Sequence, residues 1–427
     1  MRGTQLLSLG INLLCCGAMG FLLVVLLARY FVRPFREDAL GALCPGGLRS
    51  RAGRRLETGR MLAFVAAAFV VSRLLVYVVG LAWAFAVGQS GTYLEDPLSL
   101  WVRWDARHYV GLAENWYVNE GDARYHLVFF PLYPLAVRAL SLAFSLDAAA
   151  AGTLLSNACL LVCAWAMYRL VELGQGQEAG RRAVTFLLFA PMSFFFSIPY
   201  SESLFLMLCL LCVLCARKRR MALAVLLGAL AANARILGVL CAVPIYYEYL
   251  LMVKEKKGGW PMALGCVLRT MPVLLGLGAY LLLNYQVSGD PFRFLAYQKE
   301  HWYQQMGSLW NTLSYTLSGA LSYPDQALRL GTWIPQTLYI LCCIGLLLWL
   351  FRRIDPAEGA YALLYIYIAV SPTWLLSGSR YLTAMYALYP MLAMAARRKA
   401  WEYALLSLSV AGSCYFIYMY LFTGGLM

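Results

Sequence analysis

Long apolar runs recur along this chain, among them "LLVCAWAMYRLV" (160–171), "MALAVLLGALAA" (221–232) and "TLYILCCIGLLLWLF" (337–351). No other feature limits the fold as much. In a bilayer no water reaches the backbone N–H and C=O groups, so a spanning segment must be a helix or a strand of a closed barrel. These runs lack the period-two alternation of a barrel strand. With 62% hydrophobic residues, 13% charged residues and a mean hydropathy of +0.66, the composition departs from that of a soluble domain. The chain is therefore expected to be all-α, a polytopic integral-membrane helical bundle of about 11–13 transmembrane helices at ~20 residues each. Expected spans run about 5–32, 61–88, 151–172, 183–199, 202–216, 221–233, 236–253, 263–285, 332–351, 360–376, 382–396 and 401–422.

Charge sets the orientation. The net charge is +14, from 35 Lys and Arg against 21 Asp and Glu. The basic residues sit in short loops, at 33–55, 181–182, 217–220, 254–257, 351–353 and 397–399. There they act as positive-inside signals, and nucleic acid is not an expected partner. Residues 1–32 end in Arg29, Arg33 and Arg36 without a small-residue cleavage site, which reads as a retained span rather than a removed signal peptide. Segment 129–146 carries Pro131, Pro134 and Arg138. Treating it as interfacial or partly inserted keeps the alternation of the basic loops. The cysteines of "CLLCVLC" (Cys209, Cys212, Cys215) have metal-like spacing, but in an apolar span without histidine they read as small hydrophobes.

With the basic loops inside, five polar stretches fall on the other face: the loop 89–128 with "RWDARH", "PYSES" (199–203), "NAR" (233–235), the loop 284–302 and "SGSRY" (377–381). One outward-facing site built from several loops is the simplest account. Asp105 suits a general base, a metal ligand, a helix cap or a partner of Arg103 or Arg107. A carboxylate among apolar rings such as Trp104 gains basicity. Helical spacing brings His108 near it, with Glu114 as a further neighbour; Glu120 and Asp122 are the other acids of the loop. Glu202, at the mouth of an apolar span, is either a site residue or an acid matched to a helix dipole. Arg235 and Arg380 fit bidentate grip of a phosphate or, singly, snorkelling to the surface. Gln298, His301 and Trp302 suit a sugar ring, or an amphipathic interfacial helix. P-loop, GxGxxG, HExxH and GxSxG motifs are all missing from the sequence, so nucleotide hydrolysis, zinc proteolysis and serine hydrolysis have no support.

The stretches "RWDARHYVGLA" (103–113), "FFPLYP" (129–134), "PYSESLF" (199–205) and "SGDPFRFLAYQKEHW" (288–302) resemble the PIG-V mannosyltransferase family of the GT-C superfamily. The resemblance runs from about residue 61 to about 395. It departs at "NARILG" (233–238), which keeps an Arg and a Gly of the family's turn and rearranges the rest. The resemblance implies inverting transfer of a hexose from a polyprenyl-phosphate sugar donor to a glycan or glycolipid acceptor on the outer or luminal side. It makes Asp105 the catalytic base; on the residue chemistry above, Arg103, Trp104, His108, Glu202, Arg235, Gln298, Trp302 and Arg380 are expected to bind substrate. Arg235, Arg380 or a bound divalent metal ion would stabilise the leaving phosphate; the sequence leaves the metal open. Residues 1–60 are read as an N-terminal span with a basic cytoplasmic loop, added to a GT-C-like unit over 61–427. Short cytoplasmic loops and the lack of an ER-retrieval signal favour a bacterial cytoplasmic membrane over the ER. Two other classes compete: a transporter or flippase for lipid-linked sugars, which would show internal repeats and midplane broken helices, and a non-catalytic scaffold, which would not need Asp105.

Overall fold

A computed structural model describes residues 2–32, Pro34 and 58–423. The basic loop expected at 33–55 therefore lies almost wholly outside the described residues. Among those residues the structure is helical, and the lone β contact is an isolated bridge between Met306 and Pro372. Among the described residues, seven helices are long and apolar enough to cross a bilayer: Leu6–Val32, Thr58–Ala86, Ala148–Gln175, Ile236–Glu255, Trp260–Ser288, Gln326–Leu350 and Lys399–Thr423. The chain is a multi-pass membrane protein. The first two helices and Trp260–Ser288 present Leu14, Val24, Leu74, Val78, Leu268 and Leu275 outward, as lipid contact requires.

The other expected crossings are shorter. Glu202–Arg217, Met221–Ala234 and Pro356–Ala369 hold 16, 14 and 14 residues. The expected 183–199 span is instead the end of helix Gln177–Phe189, an extended break at Ala190, and the 3-10 turn Ser193–Phe196. The expected 382–396 span divides into Gly378–Thr383 and Leu388–Ala395. Most of these pieces are buried among the longer helices. Broken backbone is tolerated at membrane depth when protein, not lipid, surrounds it. Arg73, buried in the second helix, does this for the 190–197 break: its guanidinium bonds the carbonyls of Leu188 (2.9 Å) and Ser193 (3.3 Å) and the hydroxyl of Ser197.

Two glycines allow the close packing on which the centre depends. A Cβ on Gly276 would lie 1.7 Å from the Ala229 carbonyl oxygen, and one on Gly238 would lie 2.1 Å from the Ala231 carbonyl carbon. Gly238 thus lets the turn after Arg235 fold back on helix Met221–Ala234. Segment 129–146 is helix Leu132–Phe144, which follows the 3-10 turn Asp122–Val128 at an angle of 110°. It is bent where the prolines stand, rather than one straight span.

The short helices order the two ends of the bundle. Arg217 and Arg219, at the tail of Glu202–Arg217, pair with Glu358 (2.7 Å) and Glu255 (2.5 Å), and Arg29 donates to the Ile354 carbonyl (3.0 Å). The basic loops at 217–220, 254–257 and 351–353 therefore gather at one end. Glu202 and Arg235 lie at the opposite ends of the helices that loop 217–220 joins, and Arg380 meets Glu202 there.

Candidate functional site

Helix Asp105–Asn115 begins abruptly. Trp104, at its N-cap, has φ +52°, a conformation that costs a non-glycine residue strain. Asp105 is therefore the first helical residue, one position past the cap. Its side chain accepts from Arg380 Nη2 at 2.6 Å, across 275 residues of sequence. The N-cap reading of Asp105 is thereby replaced by a long-range ion pair.

Arg380 is 4% exposed and lies over three rings, with its guanidinium carbon 4.9 Å from the centre of Tyr200, 5.2 Å from Tyr381 and 5.4 Å from Phe195. Its Nε lies 3.3 Å from Glu202 Oε1. That same oxygen accepts from Arg235 Nη1 at 2.7 Å, and Arg235 also bonds Ser201 Oγ (3.0 Å) and stacks on Tyr381. Ser201 in turn meets the Tyr109 hydroxyl at 2.8 Å. One network therefore runs Tyr109–Ser201–Arg235–Glu202–Arg380–Asp105, joining four of the five polar stretches. Two acids and two cations sum to zero charge, which is how such groups persist in an apolar setting. Glu202 stands in the first turn of its helix, but its pairing with two guanidiniums goes beyond a dipole role.

Several polar atoms of this centre are buried without a partner: Arg380 Nη1, Trp104 Nε1 and Glu202 Oε2. Buried donors are almost always satisfied in native proteins, so a cluster of exceptions marks a place where a ligand completes the set. An unpaired guanidinium N–H beside the Asp105 carboxylate suits an anion that brings a hydroxyl with it.

A second, aromatic cluster adjoins it. His108 and His126 meet at 3.0 Å, with Phe129 and Trp302 packed around His108 and His301 stacked on Tyr125 at 4.5 Å. These are all three histidines of the chain. Burial, with the neighbouring His108 and His301, pushes the His126 ring down to about 4. Burial also lowers His108, against the opposing pull of Asp105. Both rings are neutral at pH 7, so one donates to the other.

The remaining expected residues fall differently. Glu114 is exposed, because nine helical residues place it half a turn round from Asp105, and it is not part of the centre. Gln298 donates to Gln304 Oε1 (2.7 Å), and Gln304 donates to the Trp374 carbonyl (2.8 Å); the pair ties the 293–301 helix to the loop before Arg380. Arg103 turns its Nε onto the Leu100 carbonyl, while its own carbonyl accepts from Tyr200 and Tyr420. Sequence reading overlooked Tyr200, Tyr381 and Phe195 under Arg380, and His126. The rarity of histidine in this chain was the available signal for the last.

Residues 67–273 match the family model described as mannosyltransferase (PIG-V). Over that stretch, a little under half of its length, the chain is similar to the mannosyltransferase (PIG-V) family. The stretch includes Asp105, Glu202 and Arg235; Arg380, Gln298 and Trp302 lie beyond it. No curated protein matches the chain. Among solved structures, it is similar to the Archaeoglobus fulgidus oligosaccharyltransferase tethered to an acceptor peptide containing the NVT sequon. That likeness has 11% identity and a TM-score of 0.40, over 86% of this chain and 55% of the other, so the chain spans about half the length of that protein. The functional reading therefore rests on the PIG-V family match and on the ion network.

Proposed function

We propose that this protein is a hexosyltransferase, mannosyl by family, that uses a polyprenyl-phosphate sugar and glycosylates a lipid- or envelope-linked glycan. The observation that carries the reading is the Asp105–Arg380–Glu202–Arg235 network, buried at Arg380 and Glu202 and open at Asp105, with unsatisfied donors at Arg380 Nη1 and Trp104 Nε1. The donor phosphate takes Arg380 and the Trp104 N–H, and in doing so relieves Asp105 of its guanidinium partner. Asp105 then accepts the acceptor hydroxyl's proton as that oxygen bonds to the sugar C1. The C1–O bond to phosphate breaks on the opposite face, which inverts the configuration, and Arg380, supported by Glu202 and Arg235, holds the departing polyprenyl phosphate. The aromatic cluster of Tyr125, His108, His126 and Trp302 offers flat surfaces and neutral hydrogen-bonding groups for the acceptor sugar. The donor set does not resemble a metal shell: among the described residues no group of three or more His, Cys, Asp and Glu gathers for one, and both acids of the centre are paired with arginine. Charge stabilisation is therefore assigned to the arginines.

The centre lies away from the basic ends of the helices, so positive-inside bias gives it the external or luminal face. The catalytic unit is taken as 61–427, with 1–60 an addition. The test incubates purified protein with polyprenyl-phosphate mannose, glucose or arabinose and a membrane-lipid acceptor. Release of polyprenyl phosphate with a glycosylated lipid supports the reading. Movement of the intact sugar lipid across a vesicle without phosphate release would replace it with a flippase.

A further inference from the structure

Away from the ion network, the N-terminal helix packs beside helix Leu309–Ser322, and a cavity of about 270 Å³ opens between them. Its walls are Ser8 and Asn12 on one side and Trp310, Ser314, Ser318 and Ser322 on the other, with Leu9 and Leu321 at the rim. Residues 310, 314, 318 and 322 recur every fourth position and so share one helix face. Both walls lie outside residues 67–273, so the family match assigns nothing here.

Three observations define what the cavity accepts. Every polar side chain lining it is uncharged, so no cation faces a phosphate and no acid faces an amine. Asn12 is 1% exposed and donates to Ser314 Oγ at 2.7 Å, but its Oδ1 has no partner. In an apolar surrounding, a buried amide oxygen left unpaired calls for a donor from a ligand. The rim residues Leu9 and Leu321 are exposed, as are Leu6 and Leu13 on the same helix, so the mouth meets lipid rather than water. Hydroxyls and one indole above a buried amide, interleaved with exposed leucines, suit an amphiphile with a neutral head that both donates and accepts hydrogen bonds.

We propose that this cavity holds the polyhydroxylated headgroup of a glycosyl lipid. The charge bias places it in the half of the bilayer away from the 33–55 loop. On its far side, helix Leu309–Ser322 is tied to the loop leading to Arg380: the Thr312 hydroxyl donates to the Pro372 carbonyl, and Gly307 N–H to the Ser371 carbonyl at 2.7 Å. The bound lipid thus sits one helix away from the ion network. The proposal does not depend on the catalytic reading.

The test uses the full chain, extracted with a sugar-free detergent and reconstituted in discs holding equal mole fractions of monoglucosyl diacylglycerol, phosphatidylglycerol and phosphatidylcholine. Lipid retained by the protein is then counted by native mass spectrometry. The expected result is enrichment of the glucosyl lipid by about 5–10-fold over either phospholipid, the scale of one or two hydrogen bonds. Ser318→Leu, at an exposed position that the fold tolerates, fills the cavity and removes the enrichment; Asn12→Leu does the same by removing the floor. Equal retention of the three lipids, preference for a phospholipid, or enrichment that survives Ser318→Leu overturns the proposal.

Discussion

Asp105→Asn should move two measurements in opposite directions. In the ligand-free protein the Asp105 carboxylate, 29% exposed, occupies Arg380, the cation proposed to receive the donor phosphate. A hydrogen bond between charged groups contributes about 1.5–3 kcal/mol and a neutral one about 1 kcal/mol. The asparagine oxygen keeps an acceptor near Arg380 but loses the charge, so the contact weakens by about 0.5–2 kcal/mol. The four ionised groups of the centre also pass from net zero to a net charge of one positive unit. Phosphate no longer has to displace a carboxylate, and short-chain polyprenyl phosphate should bind about 2–30-fold tighter. Sugar transfer should fall by about 10²–10⁴-fold, because the proton acceptor is gone. The assays are calorimetric or fluorescence titration of the lipid phosphate and a transfer assay on the same preparation, with thermal unfolding as the control. Unchanged or weaker phosphate binding would refute the competition for Arg380. Transfer near the wild-type rate would falsify the base assignment and leave the pair as a clasp between distant segments.

Glu202→Gln leaves two buried arginines without their shared carboxylate, so unfolding should become easier by about 3 kcal/mol; a loss near 1 kcal/mol in thermal or chemical denaturation would return Glu202 to a helix-dipole role. Arg380→Lys places a point charge where a fork contacts Asp105 and Glu202, and phosphate affinity should drop by about 1.5–3 kcal/mol; equal affinity in a titration would remove Arg380 from phosphate binding. His126 is held near pKa 4 in the folded chain, against an ordinary value of ~6.5. Between those values the unfolded chain binds more protons, so stability falls as pH drops from about 6.5 towards 4 and is insensitive to this group above that window. Melting temperatures of wild type and His126→Phe across that range should diverge in slope, and parallel curves would contradict the pairing with His108. Cysteines introduced at Gly121 and Gly258, in a background lacking Cys44, should label from opposite sides with an impermeant reagent; labelling from one side would remove the external assignment of the site.

Hydrophobic runs and basic loops were enough to determine the class of fold, because a bilayer leaves helices as the only option for such runs and charge decides which ends stay inside. The same reasoning separated the polar stretches at 103–108, 199–203, 233–235 and 377–381 from the apolar background, and the structure joins all four in one network. Other features depended on three-dimensional packing. The 183–199 and 382–396 runs are apolar enough for spans, yet they break, because inside the bundle Arg73 and neighbouring backbone can satisfy carbonyls that lipid would leave bare. Sequence proximity suggested Arg103 or Arg107 as partners for Asp105 and placed Glu114 nearby. The actual partner is Arg380, since a helix turns Glu114 half a revolution away while tertiary packing brings a residue 275 positions distant to 2.6 Å. The rings beneath Arg380 and the second histidine against His108 have no periodic signature along the chain. Their roles arise from which helices pack together, and a linear pattern of apolar and charged residues does not encode that pairing.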